Sequence, residues 1–368
     1  MPTQTQPPRQ TIHIPKLPSQ KPSPPWHTHL TIDLLSTVLR RSLFHPGFAW
    51  MIPLSLRAVT VPYEFLSMRL SIAYASLLTL LYILSYFNER VAFGTAREMD
   101  WEEEVVVITG GAGGLGALVA GFYGRRGVRV AVLDVKGVDE GEEEDDGDVK
   151  YYRCDVGDAE QVEACARQIR EDLGIPTILI NNAAIINAKS ILNLRPEEVE
   201  KTFRVNLLSH FHTIQTFLPG MLEEQRGTIV TVASVLGHIG CANLADYTAS
   251  KAGLLAMHAS LRAELHNSQH PGAPNIKTVL VSPGQLDTPL FAGMQTPSNF
   301  LAPVVQPVEL AKEIVRMVDS GSSGEVMMPL YARWIPLHGV LPVGVQKVIR
   351  GWSRADEAML SLTRKKGL

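Results

Sequence analysis

The chain has 368 residues, 45% of them hydrophobic and 19% charged, enough apolar material for one large core with an appendage. A net charge of −3 gives a nucleic-acid partner no support. Three scattered cysteines, Cys154, Cys165 and Cys241, argue against a disulfide framework and for a reducing compartment. No His, Cys and Asp grouping has metal-ligand spacing, so no metal is expected.

Residues 1–29 are rich in Pro, Gln, Thr and Ser and are expected to form a disordered tail. No apolar run follows their first basic residues, as a cleaved signal peptide would require. An apolar region covers residues 30–98. Its stretch 42–56 is uncharged but is broken by Pro46 and Pro53, which suits an interfacial or re-entrant segment. Leu70–Asn88 is an uncharged run of 19 residues. At ~1.5 Å per residue it approaches the ~30 Å of a hydrocarbon core, so a transmembrane helix over 70–88 is a candidate. A helix packed on the globular part is the alternative. Arginines 40, 41, 57 and 69 precede the run, whereas Arg90 and Arg97 follow it. This bias puts the tail in the cytosol for a span, and a hairpin puts both flanks there.

From Glu103 short β-branched runs alternate with helical patterns. The runs are "EVVVITG", "VRVAVLD", "VKYYRCD", "PTILINN", "GTIVTVAS", "IKTVLVSP" and "GEVMMP", and the helices include Gly114–Arg126, Asp158–Leu173, Pro196–Glu224 and Ala245–His266. Near-continuous apolar strands between helices predict an α/β domain over 103–330, a doubly wound parallel sheet covered on both faces. Between Asp139 and Asp148, "DEGEEEDDGD" carries eight acids and reads as a solvated loop. Residues 331–368 form an apolar to amphipathic extension.

The first strand runs into "TGGAGGLG", Thr109–Gly116, where Gly110, Gly114 and Gly116 give the spacing TGxxxGxG. Glycines there permit a tight turn and close approach of a pyrophosphate, and the following helix N-terminus offers N–H donors. Asp134 ends the next strand. Its carboxylate suits two ribose hydroxyls and repels a 2′-phosphate, which favours NAD and leaves NADP possible. In "DYTASKAGL", residues 246–254, Tyr247 and Lys251 share one helix face. They are either an exposed aromatic beside a solvated charge or a catalytic pair.

Thr109–Gly116, Asp155–Val156, "NNAA" at 181–184, Asn206, Ser234, Tyr247, Lys251 and "SPGQLDT" at 282–288 together resemble a short-chain dehydrogenase/reductase. The likeness covers about residues 103–330 and implies a Rossmann fold. More loosely, the apolar N-terminal region and the C-terminal extension resemble the membrane-associated retinol dehydrogenase and 17β-hydroxysteroid dehydrogenase group. The resemblance implies that Tyr247 is the general acid–base, Lys251 its charge partner, Ser234 the substrate-oxygen ligand and Asn206 a relay through a local helix distortion. Lowering a phenol near pKa ~10 by ~3 units needs ~4 kcal/mol, which the Lys251 ammonium with the cationic nicotinamide nearby can supply in a partly dry cleft. It further implies that Leu115 with the glycine turn, Asp155 and Val156 at the adenine, Asn182 and Ala183 under the cofactor, and Pro283, Gly284 and Thr288 at the nicotinamide bind the dinucleotide. Ala184 stands where many relatives have glycine, and the acidic stretch replaces what is normally a helix beside the adenosine.

His238, Gln285 and the loop Leu290–Pro303 are expected at the substrate cleft, with His238 either tuning polarity or packing. The reading is an NAD(P)-dependent oxidoreductase of lipophilic alcohols and carbonyls, such as a retinoid, steroid or long-chain lipid. It is expected as a homodimer through helices 196–224 and 245–266, on the endoplasmic reticulum or a lipid-droplet surface, with the catalytic domain in the cytosol. A catalytically inactive dinucleotide-binding or lipid-droplet scaffold is the alternative.

Overall fold

The computed structural model describes residues 30–136, 148–291, 294, 296, 298–354 and 356. The tail 1–29 and nearly all of the acidic stretch lie outside the described residues. The seven apolar runs form seven strands: β1 (Val105–Thr109), β2 (Arg129–Asp134), β3 (Val149–Arg153), β4 (Ile178–Asn181), β5 (Gly227–Val232), β6 (Ile276–Val281) and β7 (Gly324–Val326). They make one parallel sheet in the order β3-β2-β1-β4-β5-β6-β7. Strand order reverses between β1 and β4, and ligands of such sheets bind in the crevice outside the carboxyl ends there.

Eleven helices, among the described residues, surround or precede the sheet. The apolar N-terminal region supplies α1 (Ile32–Arg41), α2 (Pro46–Ala58) and α3 (Leu66–Phe93). The sheet is flanked by α4 (Gly114–Gly124), α5 (Ala159–Asp172), α6 (Pro196–Phe203), α7 (Ser209–Glu223), α8 (Ala245–Asn267) and α9 (Pro307–Asp319), and α10 (Ile335–His338) and α11 (Val343–Ser353) close the chain. Alternation along β1 sorts the core into two layers. Val105 and Val107 join α5, α7 and α8, whereas Val106 and Ile108 join α4 and α9. All five β1 residues are buried, so the strand reads as a continuous apolar run with no period-2 signal. On α9, Leu310, Ile314 and Val318 recur at helical spacing and are fully buried. Truncating Ile314 to alanine would cost about 2–5 kcal/mol.

In the N-terminal region α2 and α3 pack as an antiparallel hairpin. Ala49 and Pro53 are buried on α2 and Met68, Ser71 and Ala75 on α3, where the small Ala49, Ser71 and Ala75 let the two backbones approach. Trp50 Nε1 donates to Thr79 Oγ1 at 3.0 Å, and the Tyr74 hydroxyl donates to the Leu43 carbonyl at 2.7 Å. The candidate span is part of α3, whose 28 residues are long and apolar enough to cross a membrane. Leu80, Leu81, Tyr82, Leu84 and Phe87 on it are each more than half exposed.

Both ends of this region dock on the globular domain. At one end the Ile32 N–H donates to Phe300 O at 3.0 Å, and Asp33 Oδ1 accepts from the Leu330 N–H at 2.5 Å. At the other, Arg262 Nη2 donates to Ala92 O at 3.0 Å, and Arg97 lies beneath the sheet. Arg97, counted from sequence among the charges flanking a membrane segment, instead forms a buried two-pronged ion pair with Glu104 at 2.6 and 3.1 Å. Glu104 also accepts from Thr177 Oγ1, so every strong donor around the carboxylate is used. The apolar region therefore leaves the domain and returns to it.

Candidate active site

Helix α4 opens at the end of β1 without a side-chain cap, leaving the first N–H groups directed at the crevice. Gly110 has φ +65°, and a Cβ there would lie 2.8 Å from the Ala183 Cα. A Cβ on Gly116 would run into the Gly110 carbonyl and the Asn182 amide. Both positions require glycine on steric grounds. The turn is laced to β4: Thr109 Oγ1 accepts from the backbone N–H groups of Asn182 and Ala183 at 2.9 and 3.1 Å. Asn182 Nδ2 returns hydrogen bonds to the carbonyls of Thr109 and Gly110 at 3.1 and 3.0 Å.

Asp134 stands at the mouth of the same crevice. Its two oxygens accept from Ala112 N–H at 3.1 Å and Lys136 N–H at 3.0 Å, which holds the carboxylate beside the glycine turn. Asp155 Oδ1 accepts from Gly157 N–H at 2.9 Å and so shapes the loop after β3, with Val156 buried next to it. A glycine cradle that any Cβ would fill, free helix N–H donors and a carboxylate at the end of β2 fit an adenine dinucleotide.

Across the switch point, α8 carries Tyr247 and Lys251, both buried, with Lys251 Nζ 5.7 Å from the phenol ring centroid. Lys251 Nζ donates to the Val232 carbonyl at 2.8 Å. Burial pushes the Tyr247 phenol up from its ordinary range, and a hydrogen bond with Ser234 pulls the other way. Burial also pushes the Lys251 ammonium down to about 7. Among the protein's own groups, desolvation thus outweighs the hydrogen bond with Ser234.

Ser234 follows β5 and caps a turn of 3₁₀ helix, its Oγ accepting from Leu236 N–H at 3.1 Å. The expected single helix 196–224 is α6 and α7 joined by a π-helical segment, Arg204–Leu208. Asn206 sits in that segment, fully buried, with Oδ1 accepting from Ile185 N–H at 2.8 Å. Its Nδ2 donates to Ile185 O at 3.0 Å and to Ser250 Oγ at 3.2 Å. The extra residue per turn frees the local backbone ladder and aims the amide at α8. Pro283 O accepts from Val235 N–H at 3.0 Å, and Gly284 N–H donates to Met328 O at 2.7 Å, so the loop after β6 closes beside Ser234. Thr288 follows on that loop, half-buried.

Next to Ser234 lies a cavity of about 650 Å³ with mostly apolar walls. Gln285 lines it, as do Phe291, Met294 and Leu301 of the expected loop. Phe291 packs edge-on against Tyr247, ring centroids 6.1 Å apart. His238 stays out of the cavity wall: it caps the 3₁₀ turn with its Nε2 buried, and burial lowers its pKa. Sequence reasoning missed the wall supplied by the two extensions, namely Ile32 from α1 and Trp334, Ile349 and Trp352 from the C-terminal part. Their only local signal is apolar spacing, which does not say what an exposed helix covers. Among the described residues no His, Cys, Asp and Glu group could hold a metal ion.

The model of the short chain dehydrogenase family matches residues 104–298. Short-chain dehydrogenase/reductase 3 of Bos taurus is 32% identical over 264 residues, 70% of this chain and 86% of its own. Retinol dehydrogenase 10 of Homo sapiens is 35% identical over 222 residues, 52% of this chain and 64% of its own. In fold, a short-chain dehydrogenase from Streptomyces avermitilis superposes with a TM-score of 0.56 at 20% identity, over 68% of this chain and 97% of that one. Sheet order, glycine turn and family match agree, and the chain belongs to the short-chain dehydrogenase family of oxidoreductases.

Proposed function

We propose that the chain interconverts a lipophilic alcohol and its carbonyl compound, with NAD preferred as hydride carrier and Tyr247 as general acid–base. A single observation carries the reading: Tyr247 is hydrogen-bonded to Ser234 and packed edge-on against Phe291, both of which line a large apolar cavity, with Lys251 beside the phenol on α8. The cofactor would be held by Thr109–Gly116, Asp134, Asp155–Val156, Asn182–Ala183, Lys251, Pro283, Gly284 and Thr288. When bound, a nicotinamide dinucleotide supplies the hydride acceptor or donor and, oxidised, a positive charge.

In oxidation Ser234 Oγ orients the substrate oxygen and Tyr247 Oη takes its proton. The side chain of Lys251 remains beside the phenol, where its charge stabilises phenolate. Asn206, tied to Ser250 on α8, holds the path by which that proton leaves. In reduction Tyr247 gives the proton back to the carbonyl oxygen. Apolar walls exclude water and favour a retinoid, steroid or long-chain lipid over a sugar or a charged acid. The retinol dehydrogenase named above points the same way.

The apolar α2–α3 hairpin is assigned to a membrane or lipid-droplet surface, with the catalytic domain in the cytosol. The exposed Leu208 and Phe211, at the π segment and the start of α7, are assigned to a homodimer interface. Turnover of a panel of lipophilic alcohols in detergent micelles, with NAD and with NADP, tests the assignment against Tyr247→Phe. The variant is expected to keep nucleotide affinity and to lose at least about a thousandfold in turnover. Binding of NADH by wild-type protein that turns over none of the panel would favour the scaffold reading instead.

A further inference from the structure

The cavity beside Ser234 holds a second phenol, that of Tyr331. It lines the cavity from a short helical turn, Leu330–Arg333, in the C-terminal extension. That turn is fixed at both ends. Leu330 N–H donates to Asp33 Oδ1 of α1 at 2.5 Å, and Trp334 N–H donates to Tyr331 O at 2.9 Å. The residues just before it are tied to the loop after β6, where Gly284 N–H donates to Met328 O at 2.7 Å. The phenol lies close against that loop: a Cβ on Gly284 would run into Tyr331 Oη. Its position is therefore set by both extensions of the domain, as a precise contact requires.

Burial holds the Tyr331 phenol above its ordinary pKa, against a hydrogen bond from the Gln285 backbone N–H. The hydroxyl keeps its proton at neutral pH, and among the described residues no acceptor takes it. Several other polar groups of the wall are engaged within it. Thr296 Oγ1 donates to Ala302 O at 2.6 Å, Arg350 pairs with Asp356 at 2.7 Å, and Ser353 Oγ donates to Arg350 O at 3.0 Å. Ser234 Oγ lies 3.5 Å from Pro283 O, and Tyr331 Oη abuts the next residue, Gly284. Consecutive Cα atoms are ~3.8 Å apart, so the two hydroxyls flank one short stretch of the loop.

We propose that Tyr331 determines specificity by donating its hydroxyl proton to a second oxygen of the substrate. The substrate class is then narrower than a lipophilic alcohol or carbonyl compound. It is a ketol, or the diol that corresponds to it, on an apolar chain. The further hydroxyl stands within about three bonds of the reacting carbon, the reach of a single ~3.8 Å step between Cα atoms. That second oxygen takes no part in proton transfer. Tyr331 holds it so that the carbonyl oxygen meets Ser234 and Tyr247, and the apolar walls take the chain. A substrate without the second oxygen leaves the buried Tyr331 donor unpaired, which a site of this kind penalises. The inference rests on the oxidoreductase reading for its consequence in turnover, whereas the contact itself can be read from binding.

Two measurements on the full chain in detergent micelles test it, each comparing wild type with Tyr331→Phe, which keeps the ring against Gly284. The first is steady-state reduction by NADH of 2-octanone, 1-hydroxy-2-octanone and 4-hydroxy-2-octanone. Wild type should favour the better hydroxyketone over 2-octanone about tenfold in kcat/KM, the worth of one hydrogen bond. In the variant that preference should fall to about twofold or less through the KM of the hydroxyketone, because the contact is made in ground and transition states alike. Equal losses on all three ketones would make Tyr331 a packing residue and overturn the proposal. A preference kept in the variant, or lacking in wild type, would overturn it as well. The second measurement is calorimetric titration of the NADH-loaded protein with the same hydroxyketone, whose Kd should rise about tenfold in the variant. Absence of wild-type turnover on every ketone would count against the oxidoreductase reading. The titration would still decide the contact, and an equal Kd in both proteins would refute it.

Discussion

Lys251 puts its proposed role in catalysis and the stability of the fold in opposition. The ammonium is 2% exposed, and burial carries its pKa from 10.5 down to about 7. Below pH ~7 the folded and unfolded chains both hold the proton, and the full desolvation penalty is present. Between ~7 and ~10.5 only the unfolded chain holds it, so stability rises with pH across that window. A drop from 10.5 to about 7 converts to about 5 kcal/mol at ~1.36 kcal/mol per unit. Against it stands the 2.8 Å hydrogen bond to the Val232 carbonyl, a charge-assisted contact of about 1.5–3 kcal/mol.

Lys251→Met keeps the apolar stem and removes the charge. It should stabilise the nucleotide-free protein by about 2–3 kcal/mol at pH 6.5, and the gain should vanish or reverse by pH 9.5. His258, whose pKa burial also lowers, titrates in both proteins and cancels to first order, whereas His210, lowered by burial and then by the Lys251 charge, is relieved of part of its shift in the variant. Urea unfolding in micelles at the two pH values reads the difference, and turnover should be lost throughout. A variant less stable than wild type at pH 6.5, by an amount independent of pH, would show that the buried ammonium is fully compensated in place, and the desolvation argument would fail.

Gly110→Ala should weaken NADH binding about tenfold or more in fluorescence titration, because an alanine at φ +65° meets the Ala183 backbone; unchanged affinity would mean the turn is looser than the contacts imply. Asp134→Ser should raise the ratio of NADP to NAD efficiency at least about tenfold by removing the carboxylate that would face a 2′-phosphate, and a constant ratio would remove Asp134 from nucleotide choice. Arg97→Ala leaves Glu104, which is 0% exposed, charged and unpaired, and should cost about 3–5 kcal/mol in urea unfolding. A loss below about 1 kcal/mol would mean that water reaches Glu104.

Seven strands, the glycine turn and the helical pairing of Tyr247 with Lys251 were legible in the sequence because each is a local pattern. Apolar runs, the spacing of glycines and a four-residue helix offset depend on neighbours in the chain. Asn206 was legible as a distortion through the family likeness, and the π segment gives the distortion its geometry. Arg97 was misplaced from sequence, since its partners Glu104, just ahead of β1, and Thr228, on β5, are brought together only by the folded sheet. The cavity wall from Ile32 and Trp352 was hidden for the same reason: the two residues are 320 positions apart and meet only once both extensions fold over the carboxyl edge of the sheet. Even the charge state of the Tyr247–Lys251 pair belongs to the tertiary structure. Spacing along α8 brings an amine to a phenol, but the burial that the surrounding layers impose shifts both groups towards neutrality.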